Sequence, residues 1–183
     1  MKRSRVILVV AAVLVSSIAA WTVARPAEDQ PSTTIILVRH AEKQAQSGDP
    51  SLDSRGRARA EALARTLADA GVSGLSATPY RRTRQTLQPL AERLGIEIQI
   101  QPVDLDDPEA YARDLAADLL ERHRGGTVVV AGHSNTVPLL LGAFGAPGAR
   151  SIGDDEYDDL FVLQVGGGKT PVLLHLHYGE PSP

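Results

Sequence analysis

Thr34-Ile-Ile-Leu-Val-Arg-His-Ala-Glu-Lys43 is an apolar run that stops on two basic side chains. Ile35 to Val38 places aliphatic residues on both sides of the pleat, the pattern of a strand covered on both faces. Such a strand belongs to the interior of a parallel sheet. Arg39 and His40 are residues that its buried part would not choose. The same design returns downstream, where Thr127-Val-Val-Val-Ala131 runs into Gly132-His133-Ser134-Asn135. Two central strands therefore each deliver a histidine at the carboxyl end, and in an open α/β sheet that is the edge where ligands bind.

The segments around these strands alternate helix and strand. Asp53 is placed to cap a helix over Ser54–Ala70, closed by Gly71. Gly74–Ala77 reads as a short strand. Thr78-Pro79 opens a helix over Arg81–Leu94, closed by Gly95. Ile96–Ile100 is a third strand, and Val103–Asp107 an acidic loop. Pro108 starts a helix running to His123, a position where its missing N–H costs nothing. A helix over Thr136–Phe144 follows the Thr127 strand. Asp159–Val165 and Val172–Tyr178 flank Gly166-Gly-Gly168 as a hairpin. The expected fold is α/β: a three-layer sandwich around a mainly parallel sheet, with a C-terminal antiparallel hairpin.

At 183 residues the chain has room for one domain and a tail. The net charge of −3 excludes a general basic footprint for nucleic acid. The absence of cysteine excludes disulfides, thiolate metal sites and a thiol nucleophile. Lys2, Arg3 and Arg5 precede an apolar run, Val6 to Ala20, with small residues after it, as in an export signal. The uncharged stretch 6–23 also has nearly the length of a membrane span. Residues 1–25 are therefore expected to be a signal peptide or an N-terminal anchor, 26–33 a linker, and 34–183 the folded domain that carries both histidine-ended strands. Either reading of the first segment places the domain outside the cytoplasm, periplasmic or extracellular, with membrane attachment through residues 6–23 if the segment is retained.

Thr78-Pro-Tyr-Arg-Arg-Thr-Arg-Gln-Thr86 sets Arg81, Arg82 and Arg84 at the start of a helix, where the macrodipole disfavours cations. An anion at that end removes the conflict, because helix amides and guanidinium forks both bind phosphate.

With these segments in hand, the chain resembles the histidine phosphatase superfamily, also called phosphoglycerate-mutase-like. Arg39-His40-Ala41-Glu42 resembles its Arg-His-Gly/Ala-Glu motif. Leu52 to Gly56 resembles its Leu-Thr-x-x-Gly stretch, with Asp53 in place of Thr. The segment 78–86 resembles Ser-Pro-Leu-x-Arg-Ala-x-x-Thr, a register that makes Arg82 the family arginine. Gly132-His133-Ser134 resembles the second-histidine motif.

The resemblance implies a phosphatase acting on a small phosphoester through a phosphohistidine on His40. Arg39, Arg82 and His133 would be catalytic, and with Ser134 and Asn135 would hold the phosphate. It implies no metal and no cofactor, since arginines and histidines supply the positive charge. A carboxyl group must protonate the leaving oxygen. The loop after the third strand offers Asp104, Asp106, Asp107 and Glu109; Asp106 is taken first and Asp104 next. Glu42 is expected to orient Arg39 or its neighbours.

Three further features have ordinary readings. Asp154-Asp-Glu-Tyr-Asp-Asp159 is a solvated lead-in to a strand or a cation site. His175 and His177 share one face of a strand; a zinc pair there would need further ligands. His123 ends a helix as a surface residue. Two rival functions remain. Gly132-His-Ser-Asn-Thr136 approaches the Gly-x-Ser-x-Gly elbow of a serine hydrolase, with Ser134 as nucleophile, Asp154 or Asp158 and His175 or His177 completing it. Thr136 then stands where the elbow needs glycine. The other rival is an exported phosphoester-binding module without turnover.

Overall fold

The computed structural model describes residues 31–46, 48–104, 106–146 and 150–182. The expected signal or anchor therefore lies outside the described residues, as does most of the linker. Within them the chain runs β1 (Thr33–Arg39), α1 (Ser54–Thr66), β2 (Val72–Ala77), α2 (Arg81–Leu94), β3 (Ile98–Ile100), α3 (Pro108–Arg122), β4 (Thr127–Gly132), α4 (Thr136–Ala143), β5 (Asp159–Gly166) and β6 (Lys169–His177). β1 begins at Thr33, one residue inside the expected linker. No helix among the described residues is long and apolar enough to cross a membrane.

The six strands form one sheet in the order β3-β2-β4-β1-β5-β6. β3, β2, β4 and β1 are parallel, and β5 and β6 add an antiparallel edge. Alternation along the central strands feeds two cores. Ile35, Leu37, Val128 and Val130 pack with α3 and α4 on one face. Ile36, Val38, Val129 and Ala131 pack with α1 and α2 on the other. The chain thus leaves β1 toward one face and leaves its neighbour β4 toward the opposite face. The crevice between their carboxyl ends is a topological switch point.

Several element ends differ from expectation, and three of them have a plain local reason. α1 stops at Thr66, because Leu67 caps it with a bond to the Leu63 carbonyl and Ala70 bonds back to Leu67, tightening the chain into β2. β3 starts two residues late, because the Ile96 amide is spent on the Ala91 carbonyl at the end of α2. β6 starts three residues early. Gly167 and Gly168, at φ +66° and +65°, make a two-residue turn that sets Gly166 opposite Lys169. Pro171 is tolerated because β6 is an edge strand.

The loop after β1 is held by a buried ion pair. Glu42 accepts from Arg59 at 2.7 and 2.9 Å, and Arg59 donates a third bond to the Tyr178 carbonyl at 2.9 Å. Glu42 therefore fastens α1 and the C-terminal segment. Of the expected partners, Arg39 or its neighbours, it is not bonded to Arg39, which donates instead to Gly153, Asp154 and Glu156. Helix α1 approaches so closely that a Cβ on Gly56 would lie 2.0 Å from the Glu42 carbonyl oxygen. Removing Arg59 would leave a buried carboxylate without its partner, a change that costs about 3–5 kcal/mol. Arg55, 3.8 Å from the same carboxylate, is more than half exposed, and such pairs contribute roughly 0–1 kcal/mol. Thermal unfolding should therefore show Arg59→Met melting on the order of 10 °C below wild type, while Arg55→Met stays close to it. Equal shifts would contradict this assignment.

Candidate active site

The site is built where β1 and β4 end. Their register sets Arg39 opposite Gly132, and the His40 amide donates to the Gly132 carbonyl at 2.9 Å. His133 is therefore brought beside His40, with ring centroids 5.4 Å apart in an edge-on contact. A side chain at Gly132 would meet Thr136 Oγ1 at 2.8 Å, so glycine there lets α4 fold back directly behind the strand. β2 ends alongside at Ala77, and the next residue, Thr78, reaches His133 Nε2 at 3.0 Å. Arg82, in the first turn of α2, reaches His133 Nδ1 at 3.5 Å.

His40 is 4% exposed. Its Nδ1 lies 2.8 Å from the Ala41 carbonyl, which only accepts. Nδ1 therefore carries the proton and Nε2 keeps the lone pair. The Ala41 amide donates to Thr86 Oγ1 at 2.9 Å, and Thr86 donates to the Arg82 carbonyl. This chain of bonds ties the backbone next to His40 to the turn of α2 that carries Arg82. Burial pushes the His40 pKa down to about 3, and the neighbouring His133, Arg39 and Arg82 push the same way against the Ala41 bond. His133 is lowered to about 4 by burial, with Arg82 and Arg39 adding to it. Both imidazoles are neutral at physiological pH.

The two arginines are used differently. Arg39 Nη1 donates to the carbonyls of Gly153, Asp154 and Glu156 at 2.7–2.9 Å, and its guanidinium stacks 4.1 Å from the Tyr157 ring. It draws the segment before β5 against the end of β1. Arg82 stacks 4.4 Å over Tyr80 and sits 3.7 Å from Asp49, yet its buried Nε and Nη1 make no hydrogen bond within the described residues. Arg39 Nε is likewise buried and unsatisfied. Buried N–H groups of a cation without acceptors are costly unless a ligand completes them.

These residues line a cleft of about 310 Å³ together with Lys43, Tyr80, Val103, Ser134, Asn135, Thr136 and Asp154. The structure thus brings together Arg39, His40, Arg82, His133, Ser134 and Asn135. It does not bring in Asp106, which is exposed and outside the lining. Asp104 accepts from the Asp106 and Asp107 amides, Asp107 caps α3, and Glu109 pairs loosely with Arg113. The carboxylate residue in the lining is Asp154, from the acidic run read as a solvated lead-in. Tyr157, 6.1 Å from the His40 ring, comes from the same run. Arg81 uses its amide on Asp49, and neither Arg81 nor Arg84 lines the cleft.

The serine triad is not assembled. Ser134 lines the cleft, whereas His175 and His177 pair with Asp158 and Asp159 on the hairpin and do not. Among the described residues, Asp159, His175 and His177 are also the grouping of metal-ligand type.

Known proteins resemble the chain in sequence and in fold. Residues 35–107 match the family model of the histidine phosphatase superfamily, branch 1. An 8-oxo-(d)GTP phosphatase of Mycolicibacterium smegmatis (strain ATCC 700084 / mc(2)155) is 37% identical over 118 residues, which are 59% of this chain. The match spans only 36% of that protein's length. A mycobacterial glucosyl-3-phosphoglycerate phosphatase has the same fold, with a TM-score of 0.59 at 18% identity over 73% of this chain and 90% of that one. The phosphoserine phosphatase of Entamoeba histolytica, solved with 3-phosphoglyceric acid, superposes with a TM-score of 0.59 at 16% identity over 81% of this chain and 97% of that one. Over residues 35–107 the chain thus matches the histidine phosphatase superfamily, branch 1, and it shares the fold of the solved phosphatases above.

Proposed function

We propose that the chain hydrolyses a small phosphomonoester by way of a phosphohistidine on His40. The observation that carries this reading is the buried guanidinium of Arg82, with two unspent nitrogens, in one cleft with a histidine whose lone pair is held on Nε2. In the first step Nε2 attacks phosphorus in line, the N–P bond forms, and the ester P–O bond breaks toward the leaving oxygen. In the second, water attacks the phosphohistidine, and phosphate leaves with His40 restored. Arg82, His133 and the remaining N–H groups of Arg39 stabilise charge on the equatorial oxygens, with Ser134 and Asn135 completing the cradle. This positive charge comes from the chain itself, so the reaction takes no metal.

The leaving oxygen needs a proton. Asp154 is favoured over Asp106 for this role, because it lines the cleft and Asp106 does not. The relatives named above are all described as acting on small phosphorylated compounds, which supports a substrate of that size.

A series of variants assayed on a phosphoester panel tests the reading. His40→Ala should lose at least about 10³-fold in kcat, and Arg82→Ala about 10²–10³-fold. Arg84→Ala and Ser134→Ala should retain activity within roughly tenfold of wild type. Asp154→Asn should slow esters with poor leaving groups more than Asp106→Asn does. An active His40→Ala beside an inactive Ser134→Ala, with carboxyl esters preferred, would favour the serine hydrolase. A wild type that binds phosphate and turns over nothing would leave the binding module.

Proton linkage gives a second test. His133 is neutral in the free site because burial and the two arginines disfavour its charge. A bound dianion reverses the sign of that field and raises the pKa. Sulfate, a dianion throughout the range, should therefore bind more tightly as pH falls from 8 to about 5. Calorimetry near pH 6 in buffers of different ionisation enthalpy should show proton uptake that His133→Gln removes. Affinity independent of pH with no uptake would contradict the proposed electrostatics.

A further inference from the structure

The C-terminal hairpin carries a second group of chemically capable side chains, outside the cleft. Asp159 stands directly opposite His177 in the β5–β6 ladder, and His175 is its diagonal neighbour on the same face. Cross-strand side chains at such positions lie within reach of one another. His175 Nε2 is 2.6 Å from Asp159 Oδ1, and His177 Nδ1 is 3.8 Å from the same oxygen. One ligand atom from each of the three residues lies within 4.8 Å of the others. Asp158 Oδ2 is 3.4 Å from His177 Nδ1. The donors of a tetrahedral zinc site stand about 3.4 Å apart, the edge implied by metal–ligand bonds near 2.1 Å. The observed spacings bracket that edge.

Burial and orientation favour a built site over a chance surface grouping. Asp159 is 1% exposed, so its charge must be compensated. The His175 ring is fixed by stacking on Phe161, with centroids 4.6 Å apart and planes 18° from parallel. The cation that Asp159 meets in the structure is Arg150, whose Nη2 lies 3.0 Å from both carboxylate oxygens. Arg150 is about 40% exposed and also pairs with Glu156, so it has an alternative partner when displaced.

We propose that Asp159, His175 and His177 form a binding site for a divalent transition metal of the zinc class, which enters in competition with Arg150. Two imidazoles and one carboxylate select borderline metals such as zinc, nickel or copper over calcium or magnesium. The fourth position falls to Asp158 or to water. The inference does not depend on the phosphatase reading, since no residue of the cleft takes part.

The test is zinc binding to the full chain, free of any affinity tag and stripped with chelator, measured by calorimetry against a competing chelator. The expected result is one zinc per chain in the micromolar range or tighter. His177→Gln, an exposed position that will not threaten folding, should weaken binding at least tenfold. Arg150→Met should tighten it several-fold by removing the competitor. Cobalt in place of zinc should show the visible absorption of a tetrahedral site, lost in His177→Gln. No stoichiometric binding by either wild type or Arg150→Met would overturn the proposal. So would binding that survives in the His175→Gln/His177→Gln double variant and disappears in His133→Gln, which would place the metal in the cleft.

Discussion

Arg39 stands opposite Gly132 in the parallel β1–β4 ladder, and the His40 amide extends that ladder by one more bond. Every other feature of the cleft follows from this register. Two strands buried on both faces must end together, and each ends in a histidine. Because the chain leaves the two strands toward opposite faces of the sheet, no helix closes the space between them. A one-residue slip would turn Val38 and Ala131 out of their core and swing both histidines away from the crevice. The aliphatic alternation that fills two cores is therefore also what aligns the reactive groups.

Charge then organises what register has assembled. A guanidinium at the end of a buried strand must find acceptors, and Arg39 finds three carbonyls in Gly153–Glu156. That requirement draws a distant segment, with Asp154 and Tyr157, to the rim of the cleft. Arg82 is treated in the opposite way, stacked on Tyr80 and left with unspent nitrogens. Two guanidiniums and two imidazoles share the space, and burial, with the arginines adding to it, keeps the imidazoles neutral. The site carries an unfavourable concentration of positive charge in its free state. In the proposed reaction a phosphoryl dianion would relieve it, and more so as negative charge spreads over the equatorial oxygens. The neutrality of His40 is at the same time what would leave it a lone pair for the proposed attack.

Much of this was legible in the sequence because the signals were local. The Ile35–Val38 and Thr127–Ala131 runs announce buried strands, and motif spacing around them singles out His40, Arg82 and His133. Asp53 was readable as a cap, and its carboxylate does accept the Gly56 amide at 2.8 Å. What was not legible depends on contacts between distant segments. Asp154 and Tyr157 reach the site only because Arg39, more than a hundred positions earlier, needs acceptors; by itself their run looks like solvated acid. Glu42 stands two residues after His40 in sequence, yet its partner is Arg59, one helix away, which no short-range pattern reveals. The acidic loop shows the same limit. Asp104 and Asp107 were candidates by their place in the chain, and in the structure they accept amides of the turn and the cap that begin α3.

In the proposed mechanism His40 Nε2 becomes covalently phosphorylated. The most direct measurement is to quench the enzyme during turnover of a phosphoester labelled in its phosphoryl group, and to examine the protein-bound label. The expected result is label on the peptide containing His40, stable in base and lost in acid, as a phosphoramidate must be, and absent from His40→Ala. Label that survives acid and is released by base, on the peptide containing Ser134, would contradict it.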